Sequence, residues 1–208
     1  PDYYIEGNLL FADNYKVLRT TDGRTKTINI VGMVGDCYHC NTDGVGNEVS
    51  FIKITSFVQI KKDEVIVVDR DNHCLRHLDR RAFRVSRFTG NCYYSKKGYY
   101  DSSGTKAQFD KPFDAIVDQV KKNTLIVTDY NNNALRTVDT TTRQVSTLIK
   151  LDRFVKPQRL TQDIVTGNLF ITALNKIWHF IYADQTLSVL AGSDGAGFRN
   201  GPFSAALF

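Results

Sequence analysis

Tryptophan and methionine occur once each, and proline, cysteine and histidine four times each, in 208 residues. Four histidines leave little material for a metal centre, which needs several ligands converging from different elements. No His-Glu-x-x-His, Gly-x-Ser-x-Gly or Walker loop occurs, so no familiar catalytic constellation is present. Asn-x-Ser/Thr is absent, so N-glycans are not expected. No basic stretch followed by an apolar one opens the chain, and no targeting leader is expected within it. The longest apolar runs, within Glu64–Asp69 and Leu169–Leu174, are strand-sized, far below the roughly 18 residues of a membrane helix. No ten-residue window carries an i, i+3, i+4, i+7 apolar stripe, which excludes amphipathic helices. What remains is 42% hydrophobic and 24% charged, with net charge +5, ten tyrosines and thirteen phenylalanines. That is the composition of a globular chain, long enough to bury a core without metal or disulfide help.

The sequence repeats. Leu9–Asp13, Val65–Asp69, Leu125–Asp129 and Leu169–Ala173 match one another, and three of them end in Asp. Each leads through a turn to a paired position: Leu18-Arg19, Leu75-Arg76, Leu135-Arg136 and, in the last copy, Ile177-Trp178. A third run follows (27–32, 85–90, 145–150, 187–192), and each copy then reaches Phe51, Phe109, Phe154 or Phe208. Phe109-Asp-Lys-Pro112 and Phe154-Val-Lys-Pro157 set the register. Ile54 takes the proline slot of its copy, Pro1 fits the same slot, and the intervals are 53, 58 and 45 residues. Four short β-branched runs per unit, split by Gly, Asn and Asp turns, are the pattern of a β-propeller blade. A four-stranded meander cannot bury both faces alone, and stacked blades can. The expected architecture is all-β: one propeller segment over 1–208, with blades near 1–53, 54–111, 112–156 and 157–208.

These residues resemble the NHL-repeat family. Asp69-Arg-Asp-Asn-His-Cys-Leu-Arg76 is close to its Asp-x-x-Asn-His-x-Ile-Arg core, and Asp129–Arg136 is the same with Asn for His. Ser188–Gly195 and Ala107-Gln-Phe-Asp-Lys-Pro112 resemble its strand end and its joint. The resemblance implies a propeller commonly of six blades, of which four would lie here. It implies a binding platform for protein or RNA, or, in a minority of members, a metal-dependent lyase of the amidating type.

Asp13, Asp69 and Asp129 close second strands, where a carboxylate accepts turn N–H groups and holds the hairpin. Arg19, Arg76 and Arg136 open third strands and are expected to lie across a neighbouring strand and pair with an acid. Asn41-Thr-Asp-Gly44, Asp101-Ser-Ser-Gly104 and Gly195–Gly201 read as turns between blades. Cys74 begins a third strand and Cys92 follows a fourth, with the turn centred near residue 83. This predicts a cross-hairpin Cys74–Cys92 disulfide. Cys37 has the slot of Cys92, but Val17 replaces its partner, so Cys37–Cys40 is the second pairing. A metal site at Cys37-Tyr-His39-Cys40 is the rival, and one Cys-x-x-Cys alone is a weak zinc signal. Disulfides would place the chain outside the cell or in the secretory lumen.

Basic residues gather in the second repeat: Arg76, Arg80, Arg81, Arg84 and Arg87. They read as a charged outer edge that discourages edge pairing, or as a footprint for an acidic partner. Tyr93, Tyr94, Tyr99 and Tyr100 sit in the long joint 91–103, and insertions of this kind often carry binding. The expectation is a non-enzymatic scaffold without cofactor or metal. It would bind a protein, or the remaining blades of its own propeller, through joints 36–48 and 91–103. RNA or an acidic glycan is the alternative ligand.

Overall fold

The computed structural model describes residues 3–5, 8–13, 16–20, 27–32, 41–92, 96–152, 155–203 and 205–208. The fold is all-β, and its strands form four antiparallel meanders. Sheet I holds β1 (Tyr3–Ile5), β2 (Asn8–Asp13), β3 (Lys16–Thr20) and β4 (Thr27–Val31). Sheet II holds β6 (Ile54–Lys61), β7 (Glu64–Asp69), β8 (Cys74–Asp79) and β9 (Arg84–Thr89). Outside β9 lies the two-residue β5 (Gly44–Val45). Sheet III is β10 (Pro112–Val117), β11 (Thr124–Asp129), β12 (Ala134–Asp139) and β13 (Val145–Lys150). Sheet IV is β14 (Leu160–Gln162), β15 (Leu169–Ala173), β16 (Lys176–Ile181) and β17 (Thr186–Gly192).

Strand periodicity explains why the second strands read as unbroken apolar runs. Val65 and Val67 pack toward sheet I with Val17, Val31 and Phe57. Ile66 and Val68 point the other way, into a cluster with Ala115, Leu125 and Val127 of sheet III. Ile126 and Leu135 meet Leu169, Ile171 and Phe180 of sheet IV. Successive side chains leave opposite faces, and both faces are covered, so every position must be apolar. Each such side chain contributes about 1.5–3 kcal/mol on burial. Stacked neighbours, rather than one central core, therefore hold the sheets together. The first strands stand side by side, β10 between β6 and β14.

One irregularity recurs in all four sheets. The third and fourth strands slip register between Val17 and Leu18, Leu75 and Arg76, Leu135 and Arg136, and Ile177 and Trp178. A bulge re-aims the side chain beside it. The residue there is Arg76, Arg136 and Trp178 in sheets II, III and IV, but in sheet I it is Leu18, so Arg19 stands one position past the slot of Arg76. A glycine with positive φ ends or directly follows three of the fourth strands: Gly32, Gly90 and Gly192. A Cβ on Gly90 would stand 2.9 Å from the Cα of Cys74, so only glycine lets the chain pass there.

The Cys74–Cys92 disulfide is present, with Cα atoms 4.9 Å apart. Its geometry differs from a simple cross-strand rung. The ladder puts Leu75 opposite Thr89, and Gly90 lies against Cys74. Cys92 comes back to Cys74 through a left-handed backbone, φ 54°. The Cys37–Cys40 pairing, His39, Tyr93, Tyr94 and Phe154 lie outside the described residues.

Candidate functional site

The repeated Asp and Arg are an internal clasp. Arg76 and Arg136 are wholly buried, as are Asp69 and Asp129. Arg76 Nη1 donates to Asp69 Oδ2 at 3.2 Å, and Arg136 Nη1 to Asp129 Oδ2 at 2.7 Å. The same nitrogens donate to Ser50 O and Gln108 O. The Nη2 atoms reach the joint before each blade: Arg76 to Thr42 O and Asp43, Arg136 to Tyr100 O and Asp101. The Phe51 and Phe109 rings lie under the two guanidinium groups. Arg76 is therefore no part of an exposed binding surface, which corrects the reading from charge clustering. Two carboxylates and a row of carbonyls cancel the cost of burying its charge.

Asp69 and Asp129 do more than hold a hairpin. Asp69 accepts the N–H groups of Ile52 and Lys53, and Asp129 that of Asp110, all in the preceding joint. Asn72 and Asn132 also donate to them. Burial outweighs these favourable contacts and raises both carboxyl pKa values, that of Asp129 to about 6. Of Asp13 only the backbone is described, as the end of β2.

The Asp-containing joints are latches, not turns. Gly44 and Val45 pair antiparallel with Val85 and Arg84, and Gly46 N–H donates to Phe83 O. In the next joint Ser103 bridges Gln144, and Val145 N–H donates to Ser102 O. The latch acids also take a fourth-strand N–H: Arg87 N to Asp43 at 3.1 Å and Thr147 N to Asp101 at 2.9 Å. Gly46 and Gly104 occupy matching left-handed positions, φ 56° and 55°. In sheets II and III one segment thus covers the outer edge and neutralises the arginine.

A second tie crosses between blades. His73 Nδ1 accepts Lys111 N–H at 2.9 Å, and Asn133 Oδ1 accepts Lys156 N–H at 3.0 Å. Both acceptors have left-handed backbones, φ 58° and 50°, which asparagine adopts readily. Burial pushes the His73 pKa down, with Asp110 opposing. A depressed basic group contributes stability above its unfolded pKa, and that contribution is lost as pH falls through the folded value. His73→Asn should keep the tie and stay within about 1 kcal/mol of the native chain at pH 7.5. At pH 5 it should be the more stable of the two. Melting curves at both pH values check this, and parallel curves would refute it.

The histidines do not converge. His77 lies on β8, 3.7 Å from Glu64, and His179 on β16 stacks on Phe170. Among the described residues no group of three His, Cys, Asp or Glu is placed to hold a metal.

The first strands enclose a cleft of about 420 Å³ that the repeat pattern did not reveal. Ser56, Phe57, Asp114, Ala115, Ile116, Arg159 and Leu160 line it. Asp114 is buried and accepts the N–H groups of Ala115 and Leu160. Burial raises its pKa. Arg159, from the start of sheet IV, spans to Thr55 O of sheet II at 2.9 Å and lies 3.7 Å from Asp114. The available signal was a charge at the start of a first strand, where apolar residues prevail.

The other basic residues spread along sheet II. Arg80 and Arg81 hold the β8–β9 turn to the β6–β7 turn, through Lys62 O and Asp63. Arg84 is exposed and Arg87 partly so. Tyr99 is committed in part: its ring covers Arg136 and Lys150, and its hydroxyl meets Thr147 Oγ1 at 2.8 Å. Tyr100, 60% exposed, is the freer aromatic. Arg80 and Arg81 lie at the hairpins of sheet II, where Gly46 of the first joint also arrives, whereas Tyr99 of the second joint lies against sheet III, so the expected surface is two patches.

No known family profile matches the chain, and no curated protein matches it. Solved structures do. The chain is similar to one in the nidogen/laminin complex, at 16% identity and TM-score 0.62, over 88% of this chain and 61% of that one. It is similar to the extracellular domain of a putative hybrid two-component system from Bacteroides thetaiotaomicron, at 12% identity and TM-score 0.61, over 94% and 24%. It is also similar to virginiamycin B lyase from Staphylococcus aureus, at 12% identity and TM-score 0.59, over 90% and 53%. The chain thus spans less than two thirds of each. With the four meanders, these likenesses define the class: the chain has a β-propeller fold. The neighbours include both binding proteins and a lyase, so the fold is compatible with either.

Proposed function

We propose that the chain is a non-enzymatic binding scaffold of NHL type. Its blades near 1–53, 54–111, 112–156 and 157–208 present inter-blade joints to a protein partner outside the cell or in the secretory lumen. The observation that carries this reading is the joint around Tyr100. Its backbone is pinned by Arg136 and Gln108 while its ring stays exposed. A rigid loop with a free aromatic binds without a large ordering cost. The Cys74–Cys92 disulfide supports an oxidising compartment. The clasp of Asp, Asn and Arg supports the NHL assignment, because it gives each residue of that motif a physical task. In the six-bladed reading, a further blade covers the exposed Phe198.

Capture from a fraction of secreted proteins tests the reading. The native chain should retain a partner that Tyr100→Ala loses while melting unchanged. Equal capture by Tyr100→Ala would overturn the joint reading. Four alkylated thiols in natively sourced, unreduced protein would overturn the compartment.

A further inference from the structure

The latches cover the outer edges of sheets II and III, and sheet IV is built differently. The interval from Pro112 to Pro157 is 45 residues, against 53 and 58 for the two before it. The short joint carries no Asp-x-x-Gly segment. Its described residues turn at the strand ends instead: Leu151 N–H donates to Asn133 O and Val155 N–H to Asp152 O. The arginine is lost together with the latch, since Trp178 holds its place. Trp178 pairs with Val189 as Arg136 pairs with Thr147, and Phe180 pairs with Leu187 as Val138 pairs with Val145.

This register identifies the free groups. Thr147 N–H and Val145 N–H point outward and are taken by Asp101 and Ser102. Their counterparts are Val189 N–H and Leu187 N–H, and among the described residues nothing accepts from them on the outer side. The Trp178 indole N–H is buried and, among the described residues, has no acceptor. Val189 is 42% exposed. Beside it opens a cavity of about 580 Å³, lined by Val189, Leu190, Ala191, Gly192, Pro202 and Phe203. An uncovered strand edge with an adjoining apolar cavity is a template for strand addition.

We propose that the outer edge of β17 is a docking site for an extended segment of a partner polypeptide, which adds as an antiparallel strand. Its chemistry is that of the two segments filling the sister edges, Asp-Gly-Val-Gly and Asp-Ser-Ser-Gly. An acidic side chain accepts Val189 N–H, small residues follow along β17, and the residue before the acid enters the cavity. This surface lies apart from the Tyr100 joint, so either reading stands if the other fails.

The probe is a labelled peptide with the sequence of residues 99–106, read by fluorescence anisotropy against the full chain. The native chain should bind it, and a peptide with lysine for the aspartate should bind about tenfold more weakly. Val189→Pro removes the outward N–H without touching the β16 ladder, a substitution edge strands tolerate. It should weaken binding about tenfold or more at unchanged melting temperature. Val189→Asp, a second variant independent of backbone effects, should repel the native peptide and spare the lysine one. No binding by the native chain at millimolar peptide would overturn the proposal. Equal binding by native and both variants would do the same. A dimer dissolved by Val189→Pro would assign the edge to a second copy of the chain and likewise overturn it.

Discussion

Arg136→Met is expected to cost about 3–5 kcal/mol of unfolding free energy, the largest effect of any single exchange proposed for this chain. The substitution removes the donors to Asp129, Gln108 O, Tyr100 O and Asp101 together. Asp101 is partly exposed and can turn to water, but Asp129 is fully buried and cannot. Its carboxyl, already raised to about 6, must rise further without the guanidinium. The sign of the pH dependence follows. A raised acid favours the fold below its unfolded pKa, and that contribution is lost as pH rises through the folded value. The deficit of Arg136→Met should therefore be larger at pH 8 than at pH 5. Adding Asp129→Asn should recover part of it, because the stranded charge is then gone. Urea unfolding at the two pH values measures all three variants. A deficit under about 1 kcal/mol at pH 8 would show that the clasp is incidental.

Removing the disulfide comes second. Cys74→Ala with Cys92→Ala should cost about 3 kcal/mol through the loop it closes, 18 residues in separation. Both cysteines are fully buried. Reductant should therefore leave the native fold intact and act once the chain opens. Thermal melts of native and double-alanine protein, each with and without reductant, separate these effects. Native protein melting lower only when reductant is present, and the variant melting low in both, is the expected pattern. A variant melting with the native chain would remove the disulfide from the account of stability.

The fold was legible because it is periodic. Apolar runs ending in Asp recur, and the Phe-x-x-Pro joint fixes their register. Stacking both faces of a sheet demands this pattern wherever it occurs. The Cys74–Cys92 pair was legible for the same reason, since hairpin register is a local property. The site was less so. Arg76 counted with Arg80, Arg81 and Arg84 as surface charge, because sequence proximity does not report burial. The bulge before it turns it inward, onto carbonyls about 26 and 34 residues earlier in the chain. Asp43 and Asp101 looked like turn residues, and the distant strand that makes each a latch is not written beside them.

By itself the sequence determined the repeat, the strand order within each unit, the joints and one disulfide. Those depend on neighbours in the chain and on a two-residue strand period. Only the tertiary structure decided which charges are interior, which edges are covered, and that Asp114 and Arg159 share a cleft. Those depend on segments that meet across blades, where a buried charge is tolerated only if its partners arrive from elsewhere in the chain. The uncovered edge of β17 is the clearest case. Its sequence is an ordinary fourth strand, and unlike β9 and β13 it has no latch folded against it among the described residues.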